Sequence, residues 1–449
     1  MVDYSKYPTK QYPHFDKKIP FKKVESYVKD PKKICKHSFF PMIYFEKNMS
    51  KYDLAYLAER KIPVKPKMRP IMYAAHVDGY IYKYYGEELN NKYNEYVRIN
   101  GFDECITAYR NNKPGMSNIQ FAKEIIDFIS EHPTCYVRVS DYKKFFDSLD
   151  HKYLKEKLFA LFQTRTLPLH YYKIFQSITK YARIDKKNVA GYYDQKADKY
   201  FANVKEYRAF RNIHKHDSTI FVNYTSIGIP QGTAMSGVLA NIYMLDIDKA
   251  INAMVKKYNG LYRRYSDDTI IVIPKSGNMT DAVFDRINEE ISRIIAKAFI
   301  CEETSKTNCL YYAQNEFVDY ATNKKSFLDY LGFCFDGSNI LVRSKSIYKF
   351  SRTSKAMVAQ SLRRAFRNAQ NILPYKRRLL SYLLENPRRI KRNKKLKKPS
   401  NFITYAKRVQ VAFDNSGNLY TCSAEQQIIH LRRRVLAAYI RANRSLKQR

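Results

Sequence analysis

Two adjacent carboxylates, Asp267 and Asp268, sit between two stretches that both read as β-strands. Upstream is Leu261-Tyr262-Arg263-Arg264, rich in tyrosine. Downstream is Thr269-Ile270-Ile271-Val272-Ile273, β-branched and apolar, the pattern of a buried strand. Little but Ser266-Asp267-Asp268 separates them, so the chain must turn back in a tight hairpin with the acids at its tip. Asp-Asp is also common in ordinary turns, because Asp bonds its own backbone. The pair alone does not separate a turn from a site.

Two further stretches do. Cys135-Tyr136-Val137-Arg138-Val139-Ser140 alternates as a strand does and runs into Asp141-Tyr142-Lys143-Lys144-Phe145-Phe146-Asp147, placing an acid at a strand's C-terminal end. Between the two acidic sites lies Gly228-Ile229-Pro230-Gln231-Gly232-Thr233-Ala234-Met235-Ser236, followed by an apolar run from Gly237 to Leu245. This order resembles the motif series of reverse transcriptases. Asp141 matches the first motif's acid, Gln231-Gly232 the second motif, and Tyr265 to Asp268 the third. Ser305-Lys306-Thr307 resembles the fourth motif with its lysine, and Leu328-Asp329-Tyr330-Leu331-Gly332-Phe333 the fifth, the primer grip. The resemblance runs from about residue 65 to about residue 345. Within the family, the chain looks like the bacterial abortive-infection, defence-associated and retron-like group. Tyr12-Pro13-His14-Phe15-Asp16 is similar to a leader of some defence-associated members.

The resemblance implies an α+β right-hand polymerase: fingers, an RRM-like palm with an antiparallel sheet backed by helices, and an α-helical thumb. The corresponding divisions are an N-terminal extension with fingers at 1–134, a palm at 135–340 carrying an inserted segment at about 163–227, and a basic thumb at 341–449. It also implies synthesis of DNA from dNTPs on an RNA template. By the same resemblance Asp141, Asp267 and Asp268, joined by Tyr142, would form the metal set for two Mg²⁺ ions, with Mn²⁺ as a substitute. Carboxylate oxygens suit such hard cations, which can activate a primer hydroxyl and neutralise the leaving pyrophosphate. Three crowded carboxylates repel, so filling the site should await the phosphates of the dNTP.

Other roles follow from the same resemblance. Phe146, five positions after Asp141, would pack under the sugar and exclude a 2′-hydroxyl; a plain core role competes with this. Gln231 and Gly232 would touch the template–nucleotide pair, the glycine permitting close backbone approach. Lys306 is a candidate general acid or charge stabiliser. Lys67 and Arg69, in the basic stretch Ile62 to Met72, and Arg110, in Tyr109 to Gly115, are candidates for the incoming triphosphate. Solvated surface charge is the competing reading for such residues.

The formal net charge of +39 over 449 residues points to a polyanionic partner, while 45% hydrophobic content supports a packed core. Residues 341–449 hold 28 Lys or Arg against three acids, Glu385, Asp414 and Glu425. That excess suggests that the RNA template is a dedicated structured non-coding RNA that stays bound, with nascent DNA as the other nucleic-acid partner. No apolar run is long enough to span a bilayer and the N-terminus lacks a signal-peptide core, so no membrane partner is expected and the reading is cytoplasmic. Seven scattered cysteines without a C-x-x-C pair read as reduced thiols, with no zinc site. A homo-oligomer is left open.

Elsewhere, helical spacing is read over 78–98, Asn118 to Ile129, His151 to Phe162 and Asp281 to Phe299. Asp147 or Asp150 is the expected N-cap of the third of these. The insertion's centre, Lys186 to Lys215, shows little periodicity and reads as peripheral to the catalytic centre. In the thumb, Val358, Leu362 and Phe366 recur every four residues, and Ser423-Ala424-Glu425-Gln426 looks like a capping box. The run Arg388 to Lys398 reads equally as thumb surface or solvated loop. Two other functions share these features: a template-independent, protein-primed or otherwise, DNA polymerase using the same acids, and a catalytically silent RNA-binding scaffold.

Overall fold

The structure is a computed structural model, which describes residues 3–49, 51–52, 64–383, 401–414 and 419–448. Its centre is a six-stranded antiparallel sheet. In spatial order the strands are Leu261–Tyr265, Asp268–Pro274, Thr134–Ser140, Asn308–Ala313, Glu316–Asp319 and Lys325–Ser326. Period-two alternation divides their side chains between two layers. Tyr136, Ile271 and Ile273 join one core, with Phe284, Ile287, Ile291 and Ile295 of helix Asp281–Lys297. Cys135, Val137, Ile270 and Val272 join another, with Ile119, Ala122, Ile125, Ile126 and Ile129 of helix Asn118–Ser130. A Ser117–Gln120 capping box opens the latter helix. This is the expected α+β palm.

The fingers hold a four-stranded sheet, in the order Met68–Tyr73, Met42–Asn48, Ala182–Asp185 and Ile220–Val222. Its last two strands come from the 163–227 insertion, so the chain leaves the palm after its first motif and returns to complete the fingers. The sequence missed this because strands of three or four residues carry almost no alternation. The insertion also forms helices Leu169–Thr179 and Val204–Ile213. Helix His76–Ile99 joins the two regions, and Asp16 accepts from both His76 N and Val77 N at its start (2.9 Å each). The Tyr12–Asp16 leader is therefore built into the fingers.

In the thumb, helices Ser344–Arg367, Phe402–Asp414 and Gln426–Lys447 share a core that includes Phe350, Val358, Ala365, Ile403, Val435 and Tyr439. The four-residue spacing drifts off a 3.6-residue face, so Phe366 ends up exposed and Ala365 takes the inward position. The expected capping box at Ser423 does not form. Ser423 Oγ bonds Asn339 Oδ1 instead, and helix Gln426–Lys447 starts without a side-chain cap. A tertiary partner outcompetes the local one because strand Thr421–Cys422 runs parallel to Asn339–Val342, sewing the thumb onto the palm. The strand Asn339–Val342 also crosses the expected boundary at 340/341. Arg388 to Lys398, and Ile62 with Pro63, lie outside the described residues. Asp150, not Asp147, caps helix His151–Phe162, accepting from Tyr153 N at 2.7 Å. No described helix is long and apolar enough to cross a membrane.

One buried group sets a pH dependence. His14 is fully buried, and its Nδ1 accepts from Phe15 N at 2.8 Å. Burial, and then the neighbouring His76, push its pKa down to about 3. The unfolded chain protonates this imidazole near pH 6.5, so stability present above that value is lost as pH falls toward 3. Between pH 6.5 and 5 the loss from His14 is about 2 kcal/mol. Urea titrations of wild type and His14→Gln at several pH values test this: the variant should show the shallower acid slope, and equal slopes would refute the assignment.

Candidate active site

The palm sheet brings the three acids together through strand register. Ser140 pairs with Thr269, so Asp141 leaves its strand beside Asp268. Tyr265 pairs with Asp268, leaving Ser266 and Asp267 as a two-residue turn with Ser266 in the left-handed region, φ 64°. Residues 301–303 run alongside Asp141. Glu303 N donates to Asp141 O at 2.8 Å, and Lys143 N to Cys301 O at 2.9 Å. The turn that follows, closed by Lys306 N to Glu303 O at 2.8 Å, delivers Lys306 Nζ to Asp141 Oδ2 at 2.5 Å. Beneath it, Arg138 grips both oxygens of Glu302 (2.8 and 2.9 Å), and the Ser140 and Thr269 hydroxyls bond each other at 2.7 Å.

Electrostatics report the crowding. Burial, then the charges of Asp267 and Asp141, push the Asp268 carboxyl up to about 6, against the pull of Arg343 and Lys306. Hard oxygen donors that repel one another are relieved by a divalent cation, so the donor chemistry fits Mg²⁺ or Mn²⁺. Among the described residues no three His, Cys, Asp or Glu side chains are closed into a ligand cage. The Tyr142 ring is buried with an unpartnered hydroxyl, so any part it takes in holding a metal falls to its main chain.

A second layer, not anticipated from the sequence, holds the hairpin. Arg264 and Asp248 are both fully buried and paired twice, Nε to Oδ1 at 2.8 Å and Nη2 to Oδ2 at 2.7 Å. Arg264 Nη1 also donates to Asn241 Oδ1 (3.1 Å) and to the Ser266 carbonyl (3.0 Å) inside the turn. Tyr262 donates its hydroxyl to Asp248 Oδ1 at 2.8 Å. The available signal was Asp248 falling on the inward face of the amphipathic helix Leu245–Lys256, with Leu245, Ile251 and Val255, together with arginines in the strand Leu261–Tyr265.

Phe146 is half-buried and meets Tyr109 edge-on at 6.4 Å, so it both packs and faces outward. Gln231 is half-buried and bonds Asp147, whose carboxyl is pushed up by burial. Gly232 has φ 119°, and a Cβ there would stand 2.4 Å from Met72 O. Its need for glycine is thus set by the fingers strand, which also donates Met72 N to Gln231 O at 2.9 Å. Arg69 is exposed on the fingers strand Met68–Tyr73 and Lys67 is exposed just before that strand, apart from the palm strands that carry the acids. Arg110 does not fit its expected role. Its guanidinium is buried and committed to Asp103, Asn94 Oδ1 (2.7 Å) and the Ile106 carbonyl (3.3 Å), which makes it a brace of the 103–110 loop.

Acids on neighbouring strands of an antiparallel palm, between fingers and thumb, define a right-hand nucleic-acid polymerase fold. The family described as reverse transcriptase (RNA-dependent DNA polymerase) matches residues 97–335, more than half of the chain. The chain belongs to the reverse transcriptase family. No curated protein matches it. Similar solved structures include an apo telomerase from Candida tropicalis truncated of its C-terminal domain (12% identity, 70% of this chain and 57% of that one, TM-score 0.41). Another is telomerase from Candida albicans in complex with a fragment of telomeric RNA (12% identity, 93% and 66%, TM-score 0.41). A third is an apo telomerase from Candida tropicalis (11% identity, 91% and 64%, TM-score 0.42). The chain spans less than two thirds of the length of each.

Proposed function

We propose that this chain synthesises DNA from dNTPs on an RNA template, by nucleotidyl transfer at Asp141, Asp267 and Asp268. The single observation that carries the reading is the register that sets these acids side by side, with Lys306 on Asp141. Two divalent cations held by the acids and the Tyr142 main chain would supply charge neutralisation at the reacting phosphate. The chain's own residues do the rest. Lys306 holds Asp141 as a counter-ion until substrate arrives, then is free to meet the departing pyrophosphate. Gln231, steadied by Asp147, faces the template–nucleotide pair, while Lys67 and Arg69 are the remaining candidates for the triphosphate.

Phe146 gives the reading its sugar preference. Phe146→Ala or Phe146→Val should open space for a 2′-hydroxyl and raise rNTP use relative to dNTP, measured as the ratio of their kcat/KM values. A folded, active variant with unchanged preference would leave Phe146 as core only.

The partner is proposed to be a dedicated structured RNA that remains bound and supplies the template, in a bacterial-type enzyme serving anti-phage defence. Support comes from the charge of the thumb. Lys345, Lys349, Arg352, Arg363 and Arg367 are exposed along helix Ser344–Arg367. Binding through such a face releases counterions and should weaken steeply with salt. Purification from the host at moderate salt, followed by sequencing of what stays bound, tests this. One enriched RNA, lost when basic residues of 341–449 are neutralised, is the expected result. A mixture that tracks transcript abundance would leave only a generic duplex grip. Sequencing the DNA product separates templated from untemplated synthesis.

A further inference from the structure

Tyr109 has a left-handed backbone, φ 59°, a conformation that costs energy for any residue with a bulky side chain. Three consecutive main-chain positions lock it there. Thr107 N and Oγ1 both donate to Arg264 O (3.0 and 2.9 Å), Asn241 Nδ2 donates to Ala108 O (2.9 Å), and Asn90 Nδ2 donates to Tyr109 O (2.6 Å). Two of these anchors, Asn241 and Arg264, belong to the buried network that also holds the Ser266 carbonyl. The loop and the acidic hairpin are therefore one rigid piece.

The strained backbone throws the ring onto Gly237, where an added Cβ would lie 2.6 Å from Tyr109 Cγ. Only glycine admits the ring at this spot. From there its hydroxyl accepts from Ser266 Oγ at 3.0 Å, and its edge meets Phe146 at 6.4 Å and 74°. A residue placed for core packing would be covered, but Tyr109 stays 46% exposed. It touches the residue before the acid pair and the ring assigned to the sugar.

We propose that Tyr109 is a specificity-determining residue, the rear wall that keeps Phe146 and Ser266 in place against the sugar of the incoming nucleotide. The role rests on the proposed DNA synthesis at this site. Without the Tyr109 ring, Phe146 has space to tilt back and the pocket admits a 2′-hydroxyl.

The experiment compares kcat/KM for dNTP and rNTP incorporation on a primed RNA template, with thermal melts to confirm folding. Tyr109→Ala should reduce the preference for dNTP by roughly 10-fold or more, since a lost wall of this size relaxes a pocket by at least that factor. Tyr109→Phe, which keeps the ring, should hold the preference within roughly two-fold. Gly237→Ala displaces the same ring from behind in a helix that alanine favours, so it serves where Tyr109→Ala fails to fold; it should also lower the preference. Wild-type selectivity in folded, active Tyr109→Ala and Gly237→Ala overturns the role of Tyr109 alone. Absence of any dNTP incorporation by the wild-type chain overturns the activity beneath it.

Discussion

Asp267→Asn and Asp141→Asn are each expected to abolish Mg²⁺-dependent dNTP incorporation, by roughly 1,000-fold or more, while fold and RNA binding persist. Asparagine keeps the shape of the side chain but removes the charge that would hold a cation against the reacting phosphate. The fold should survive because these acids repel rather than support one another. Burial and the charges of Asp267 and Asp141 already push Asp268 up to about 6, so removing one charge relieves the site. In Asp141→Asn the Lys306 ammonium also loses its 2.5 Å partner, which changes one half-exposed ion pair and little else in the core. Single-turnover incorporation, thermal melting and RNA retention on the same preparations distinguish the outcomes. Near-normal incorporation by either folded variant would sink the assignment of these acids.

Arg264→Met and Asp248→Asn should each destabilise the chain by about 3–5 kcal/mol, because each leaves the other partner buried, in whole or in part uncompensated. Neither side chain is solvent-accessible. The double variant Arg264→Met/Asp248→Leu removes both charges and should recover most of that loss, since apolar residues of similar volume replace buried pairs with little net change. Incorporation should not recover with it. The Ser266 carbonyl has then lost the guanidinium that fixes the turn, so the acids are held less rigidly however stable the core. Urea midpoints and incorporation rates measured together test both halves. If the single variants lose under about 1 kcal/mol, or the double variant regains full rate, the network does not position the hairpin.

The hairpin at 266–267, the strand before Asp141 and the helices at 118–130 and 281–297 were legible because their periodicity is local and strong. Short strands were not. Ala182–Asp185 and Ile220–Val222 have too few residues to show a pattern, and their place in the fingers sheet depends on Met42–Asn48 far away in the chain. The capping signature at Ser423 is a local pattern that the fold overrides: Asn339 takes the hydroxyl and no capping box forms. Arg110 failed in the opposite sense. A basic residue near a fingers motif suggests a phosphate, but Asp103 and Asn94 lie close enough in the folded loop to claim the guanidinium first.

By itself the sequence determined the class of chain and pointed to three acids for its site, because five motifs in a given order, and carboxylates at strand ends, are properties of local segments. Only the tertiary structure decided what surrounds those acids. Lys306 reaches Asp141 across 165 positions, Tyr109 reaches Ser266 across 157, and Gly232 is glycine because Met72 of another sheet passes within contact. Such pairs leave no periodicity in either partner. They exist because burial in a shared core brings distant strands into register, and the groups left facing one another must then be matched in charge and shape.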